Sequence, residues 1–299
     1  MMSFLTLIAV VACFSAILAL SLNLQWGLGG MVNFGLAGFY ALGSYAFAIL
    51  AVRLHLDTFS ATLAAMAVVA AVCGLVALVT LRVAEEDYFA IVTLGAGEML
   101  RLAILNADEL TQGAQGLGGI PRPFAAVVST EWQPLVVLAV ATAALLLTLA
   151  FLESLARSPF GRLVRAVRED DLVAATLGKN VLWVRVRVFA IGGAIIGLAG
   201  SLHSMYYQYV DPTQFATIAV AYSFMAIIAG GRGAHRGTAL GAAAVLLLLE
   251  GTRFFTLPGL GADQVAAIRI IVIGACLIGL LVHRPQGFYR EYRLKTRLD

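Results

Sequence analysis

Long, continuously apolar runs separated by short polar stretches dominate this chain. They fall at roughly 2–22, 24–52, 59–81, 88–105, 134–152, 188–207, 215–230, 238–256 and 265–282. About 20 apolar residues of α-helix cross a hydrocarbon core of about 30 Å, so each run predicts a membrane helix. A membrane β-barrel would show segments of about 10 residues alternating with period two. The length and continuity of these runs exclude it.

Composition sharpens the pattern into a class. Of 299 residues, 61% are hydrophobic and 12% charged, with a mean hydropathy of +0.92, against about 45–50% apolar and about 25% charged in soluble domains. A soluble globular protein is ruled out. The expected fold is all-α, a polytopic transmembrane helical bundle of eight to ten spans, with residues 1–299 forming a single membrane domain. Cys13, Cys73 and Cys276 each stand alone in an apolar run, without the spacing of a zinc or redox motif. The N-terminus lacks the basic stretch of a secretory signal, so the first run reads as a retained span.

The net charge of +3 arises from 20 basic and 17 acidic residues, with the basic ones gathered between the apolar runs. That placement speaks for topology in a lipid bilayer, not for nucleic-acid binding. Residues 157–187 and the tail from Arg284 together hold 12 of the 20 basic residues and are expected on the cytoplasmic side. Four apolar runs separate them, an even number, which agrees. The same path puts Arg232 and Arg236 inside and the 106–133 and 208–214 loops outside. The 24–52 run carries Gly27, Gly29, Gly30, Gly35, Gly38 and Gly43, so a broken or re-entrant helix is expected there. A faint echo at an offset of 162 residues matches Gly35-Leu36-Ala37-Gly38 with Gly197-Leu198-Ala199-Gly200, and leaves an internal duplication open.

Chemistry-bearing motifs are few. No G-x-x-x-x-G-K-[ST] phosphate loop is present, so the chain itself is not expected to hydrolyse nucleotide. His55, His203, His235 and His283 fall on different segments and read as interfacial or loop residues, with no metal site. Ser158 can cap a helix that holds Pro159 in its first turn and ends at Gly178. Phe160, Leu163, Val164, Val167 and Ala174 make its apolar stripe, with Arg162, Arg165 and Glu169 off it. Such a helix either lies on anionic lipid or docks a soluble partner. The acidic run Glu169, Asp170 and Asp171 favours the second.

Phe160-Gly161-Arg162, Arg165-Ala166-Val167-Arg168-Glu169-Asp170, Ala174-Ala175 and Leu177-Gly178 closely resemble the cytoplasmic loop of LivM-type permeases of branched-chain amino acid ABC importers. Three more blocks resemble that family in the same order: Tyr88 to Leu94 with Glu98 and Arg101, Leu110 through Gly116 to Pro123, and Gly230 through Gly241. One departure stands out: Leu36 occupies the place where the family pattern has a histidine.

The resemblance implies a permease subunit in a bacterial inner membrane, translocating branched-chain or related amino acids. Its implied partners are a second homologous permease, two ABC ATPase subunits carrying ATP and Mg, and an extracytoplasmic substrate-binding protein. No cofactor is expected in this chain. Phe160, Gly161, Arg162, Arg165, Arg168, Glu169, Asp170 and Asp171 become the ATPase-docking candidates. A urea or short-amide importer is the alternative within the same pattern, and an ion-coupled secondary transporter or a passive channel lies outside it.

Translocation-path candidates are Asn33, Ser44 and Tyr45 beside the glycine-rich backbone, with Glu98 and Arg101 in the middle of their run. The last two share one helix face at a spacing of three. An ion pair that fixes helix packing and a place in the path are both open. Glu250 and Arg253 repeat the spacing near a run's outer end, where an interfacial role is expected. Gly193-x-x-x-Gly197 and Gly237-x-x-x-Gly241 allow close helix approach.

Overall fold

The computed structural model describes residues 2–83, 86–124, 128–129, 131–215, 218–251 and 287–289, with single positions between 264 and 279. The run at 265–282, Arg253, Cys276, His283 and the basic tail lie essentially outside the described residues. Helix α1 (Met2–Leu22) continues into a π-helical turn (Asn23–Leu28), and α2 (Leu36–Val52) follows an irregular stretch. Next come α3 (Thr58–Val83), α4 (Glu86–Asn106) and the single turn α5 (Asp108–Thr111). Then follow α6 (Gln133–Arg157), α7 (Pro159–Glu169), α8 (Asp171–Thr176), α9 (Val181–Tyr207), α10 (Ile218–Gly230) and α11 (His235–Gly251). Two short strands, β1 (Leu117–Gly118) and β2 (Tyr209–Val210), pair antiparallel with Leu117 opposite Val210.

Among the described residues, five segments are long and apolar enough to cross a membrane: Thr6–Leu28, Thr58–Val83, Tyr88–Asn106, Gln133–Arg157 and Val181–Tyr207. The chain is a multi-pass membrane protein with a helical bundle fold. Helix α9 is its axis, packed along α3, α2 and α1. Glycine decides how closely. A Cβ on Gly197 would stand 2.8 Å from the Met66 Cα of α3, and one on Gly200 2.6 Å from the Ser44 nitrogen of α2. Without side chains there, backbones touch and dispersion does the work that the hydrophobic effect does in water. Gly237 and Gly241 bring α11 onto Gly230 and Ala226 of α10 in the same way.

The glycine-rich second run is broken, as its composition predicts. Between the π-turn and α2 the backbone is irregular, and some of its amides find partners within the protein: Met31 N donates to Gln25 O at 2.9 Å, and Phe34 N to Thr93 Oγ1 at 3.2 Å. Irregular backbone survives at membrane depth only when protein answers its polar groups. Two expectations need correction. The predicted 159–177 helix is two helices, because Asp170 leaves helical backbone (φ −156°, ψ 102°) and caps α8 by accepting from Val173 N. His203 and His235 are buried rather than interfacial.

Candidate translocation and docking sites

One end of the bundle gathers α7, α8, the start of α9, the π-turn and the 231–236 connection. The Ser158 hydroxyl caps α7 by accepting from Gly161 N at 3.1 Å, and Pro159 opens its first turn. Gly178 closes α8 at φ +75°, a conformation that suits glycine. Val164, Val167 and Ala174 are buried, and Phe160 and Leu163 partly so, which is the apolar stripe. Arg165 and Arg168 turn inward, however. Arg165 donates to Ala156 O, while Arg168 donates to Gly27 O and lays its methylenes against Gly30, held at φ +79°. Asp171 lies 3.5 Å from Arg185. Arg162 and Glu169 point outward, beside exposed Leu172, Val173 and Leu177 that the sequence reading passed over.

Deeper in, the broken segment carries a buried polar network. Asn23 Nδ2 donates to His235 Nδ1 at 3.0 Å, and its Oδ1 accepts from Gly233 N at 2.9 Å. Asn33 Nδ2 donates to Gln25 Oε1, and Gln25 Nε2 donates to the Phe189 carbonyl of α9. The Arg232 guanidinium sits 5.0 Å from the centre of the Trp26 ring. Ser44 Oγ donates to Gly200 O and Tyr45 OH to Val210 O, so both fasten α2 to the α9–β2 segment. Asn33, Ser44 and Tyr45 are all buried within the chain.

A second network escaped the sequence reading. Tyr40 OH lies 2.8 Å from His203 Nδ1, His203 Nε2 lies 2.9 Å from Gln214 Oε1, and Gln214 Nε2 donates to Asp211 Oδ2. It borders a cavity of about 160 Å³ between α1, α2, α9, α10 and α11. The available signal was a histidine and a tyrosine interrupting apolar runs, which in a membrane chain demand partners.

Glu98 and Arg101 behave differently from all of these. Among the described residues helix α4 is packed on one side only: Phe89, Thr93, Gly97 and Ile104 form its buried stripe. Gly97 meets α2 so closely that a Cβ on Gly38 would lie 2.1 Å from the Gly97 carbonyl oxygen. The pair lies off that stripe. Arg101 Nε donates to Glu98 Oε1 and Oε2 at 3.1 and 3.0 Å, and neither side chain bonds to another helix among the described residues. Their side chains are 49% and 30% exposed at the middle of a span, with Leu94 and Met99 exposed around them. One charge at a helix centre costs about 2.5–3.5 kcal/mol on an insertion scale.

The model of the family described as "Branched-chain amino acid transport system / permease component" matches residues 4–281 of this chain. The high-affinity branched-chain amino acid transport system permease protein LivM of Escherichia coli (strain K12) is 29% identical, over 97% of this chain and 71% of its own. A probable branched-chain amino acid transport permease protein LivM of Methanocaldococcus jannaschii is 26% identical, over 94% of this chain and 91% of its own. The high-affinity branched-chain amino acid transport system permease protein LivH of Escherichia coli (strain K12) is 27% identical, over 76% and 77%.

Proposed function

This chain belongs to the family of permease components of branched-chain amino acid transport systems, and from that premise we propose that it carries branched-chain amino acids across a bacterial inner membrane as one of two homologous permeases. The match over residues 4–281 carries this reading, since it takes in the whole bundle and not one motif. Likeness to both LivM and LivH supports the pairing of two permeases. Two ABC ATPase subunits, with ATP and Mg bound to them, supply the energy, and a binding protein outside delivers the substrate. The whole chain acts as one permease domain.

The end bearing α7 and α8 faces the cytoplasm, with the tail, and the ATPase docks in the 157–187 loop. Arg162, Glu169, Asp170, Leu172, Val173 and Leu177 form its contact face. Gly161 lets α7 pack on the end of α6, where a Cβ would meet the Leu155 carbonyl oxygen at 2.2 Å. Phe160, Arg165 and Arg168 bind the docking helix to the bundle instead of to the partner. Arg168 is the connection of consequence, because it joins the docking helix directly to the broken segment at Gly27. Movement of α7 during the ATP cycle reaches Asn33 and the start of α2 through that bond. Glu98 and Arg101 mark the face of α4 that lines the path against the second permease.

Uptake into proteoliposomes tests the reading. The complete importer is expected to accumulate leucine with ATP and binding protein, and to ignore urea. Uptake by this chain alone, driven by an ion gradient, would overturn the assignment.

A further inference from the structure

We propose that Glu98 and Arg101 form a zwitterion-exchange site, in which the substrate's ammonium takes the Glu98 carboxylate and its carboxylate takes the Arg101 guanidinium. The inference rests on the permease reading above and names the chemistry of the path. Among the described residues the two groups hold only each other. A salt bridge whose partners both come from one helix, three residues apart, locks no second helix in place. It does hold a charge of each sign open on one patch of α4.

Three features fit an α-amino acid. First, the pair is neutral, and so is a zwitterion. One ion pair is replaced by two with no change in net charge, so the exchange leaves no uncompensated charge in a medium of low dielectric. Second, the pair opens onto a small cleft of about 20 Å³ where Gly35, Ala37 and Gly38 bring the first turn of α2 against α4. The positive end of that helix favours a carboxylate beside Arg101. Third, exposed Phe34 and Leu94 stand at the cleft with Phe215 and offer an apolar rim for an aliphatic side chain. An uncharged polar solute such as urea offers neither partner to the pair, and an ion of one sign leaves half of it broken.

The test uses the complete importer in proteoliposomes, with both permeases, the ATPases and the binding protein. The double variant Glu98→Gln/Arg101→Gln keeps a hydrogen-bonded neutral pair and strands no charge, but offers a zwitterion no ionic partner. Leucine taken up per ATP hydrolysed is expected to fall at least tenfold, while the subunits still co-purify and loaded binding protein still stimulates hydrolysis. Unchanged uptake per ATP would overturn the proposal. So would loss of co-purification, which would assign the pair to subunit packing. A wild-type complex that fails to transport leucine sinks the permease reading instead, so the two failures are distinguishable.

Discussion

Among the described residues the seam between α9 and its neighbours α2 and α3 is closed, whereas the outward face of α4 is open. In the seam, Gly193, Gly197 and Gly200 bring backbones into contact, and the hydroxyls of Ser44, Ser201 and Ser204 donate to helix carbonyls. On α4 the arrangement is reversed: apolar side chains stand exposed around a charged pair bonded to itself. Both regions lie in the middle of spans, and both carry glycine and leucine. Burial of backbone marks the structure that the described residues hold by themselves.

Replacing Gly38 by valine should break that comparison most severely. Its Cβ would be 2.1 Å from the Gly97 carbonyl oxygen, a clash with backbone that no rotamer relieves. Overpacking a tight core costs about 1–3 kcal/mol or more. Loss of the monodisperse peak in detergent chromatography is expected. Gly95→Ala, two residues before Gly97 on the open face of α4, meets nothing within 4 Å and should shift stability by less than about 0.5 kcal/mol. Equal losses for the two would show that α4 is packed on both sides.

Next in size is Arg168→Ala, which strips the guanidinium from the Gly27 carbonyl. A hydrogen bond from a charged group contributes about 1.5–3 kcal/mol, so a measurable drop in Tm should follow. The sharper readout is coupling. ATP hydrolysis by the assembled importer should persist with less uptake per ATP, whereas a bond that serves only stability would leave that ratio untouched.

The outer edges of the spans were legible in the sequence because apolar runs end where membrane does, and α1 (Met2–Leu22) and α3 (Thr58–Val83) lie within two residues of expectation. The start of α9 was not, since Arg185 and Arg187 interrupt hydropathy while the helix runs on from its Asn180 cap. The docking helix shows its cap and stripe in the sequence but not its break, because nothing in the acidic run Glu169, Asp170 and Asp171 marks Asp170 as the acceptor for Val173 N. Arg165 and Arg168 misled for a related reason: a long basic side chain on a helix flank can reach back to a carbonyl, and spacing does not record that. For Glu98 and Arg101 the spacing gave the contact, but only packing showed that the pair faces outward.

Glu169→Lys probes the docking face with a smaller effect. Reversing Glu169, Asp170 and Asp171 together would also remove the α8 cap and the Arg185 contact, and so mix folding with recognition. Glu169 is largely exposed, 3.7 Å from Arg168, and its reversal should leave the fold intact. Co-purification of the ATPase is expected to weaken, and more so at low ionic strength, as for a charged contact at an interface rim. Unchanged co-purification across salt concentrations would take Glu169 off the contact.

The smallest effect belongs to the far end of the seam itself, where α3 begins in water. Asp57 precedes Thr58 and accepts from Ser60 Oγ, Ser60 N and Phe59 N at 2.6, 3.2 and 3.1 Å, while its own carbonyl takes the Ala61 N–H. The Ser60 side chain first, then the Ser60 and Phe59 amides, hold this exposed carboxyl below the usual aspartate range. A carboxylate favoured by folding stabilises above its unfolded pKa of about 3.9 and loses that contribution as the pH falls through its lower folded value. Asp57→Ala should therefore lower Tm slightly at pH 7, and the gap to wild type should close as the pH drops below about 4. The middle of α3, packed on Gly193 and Gly197 and carrying no carboxylate, gives no reason for such a dependence in this pH range. A gap between Asp57→Ala and wild type that stays constant down to pH 3 would mean that the carboxylate's charge contributes nothing to the cap.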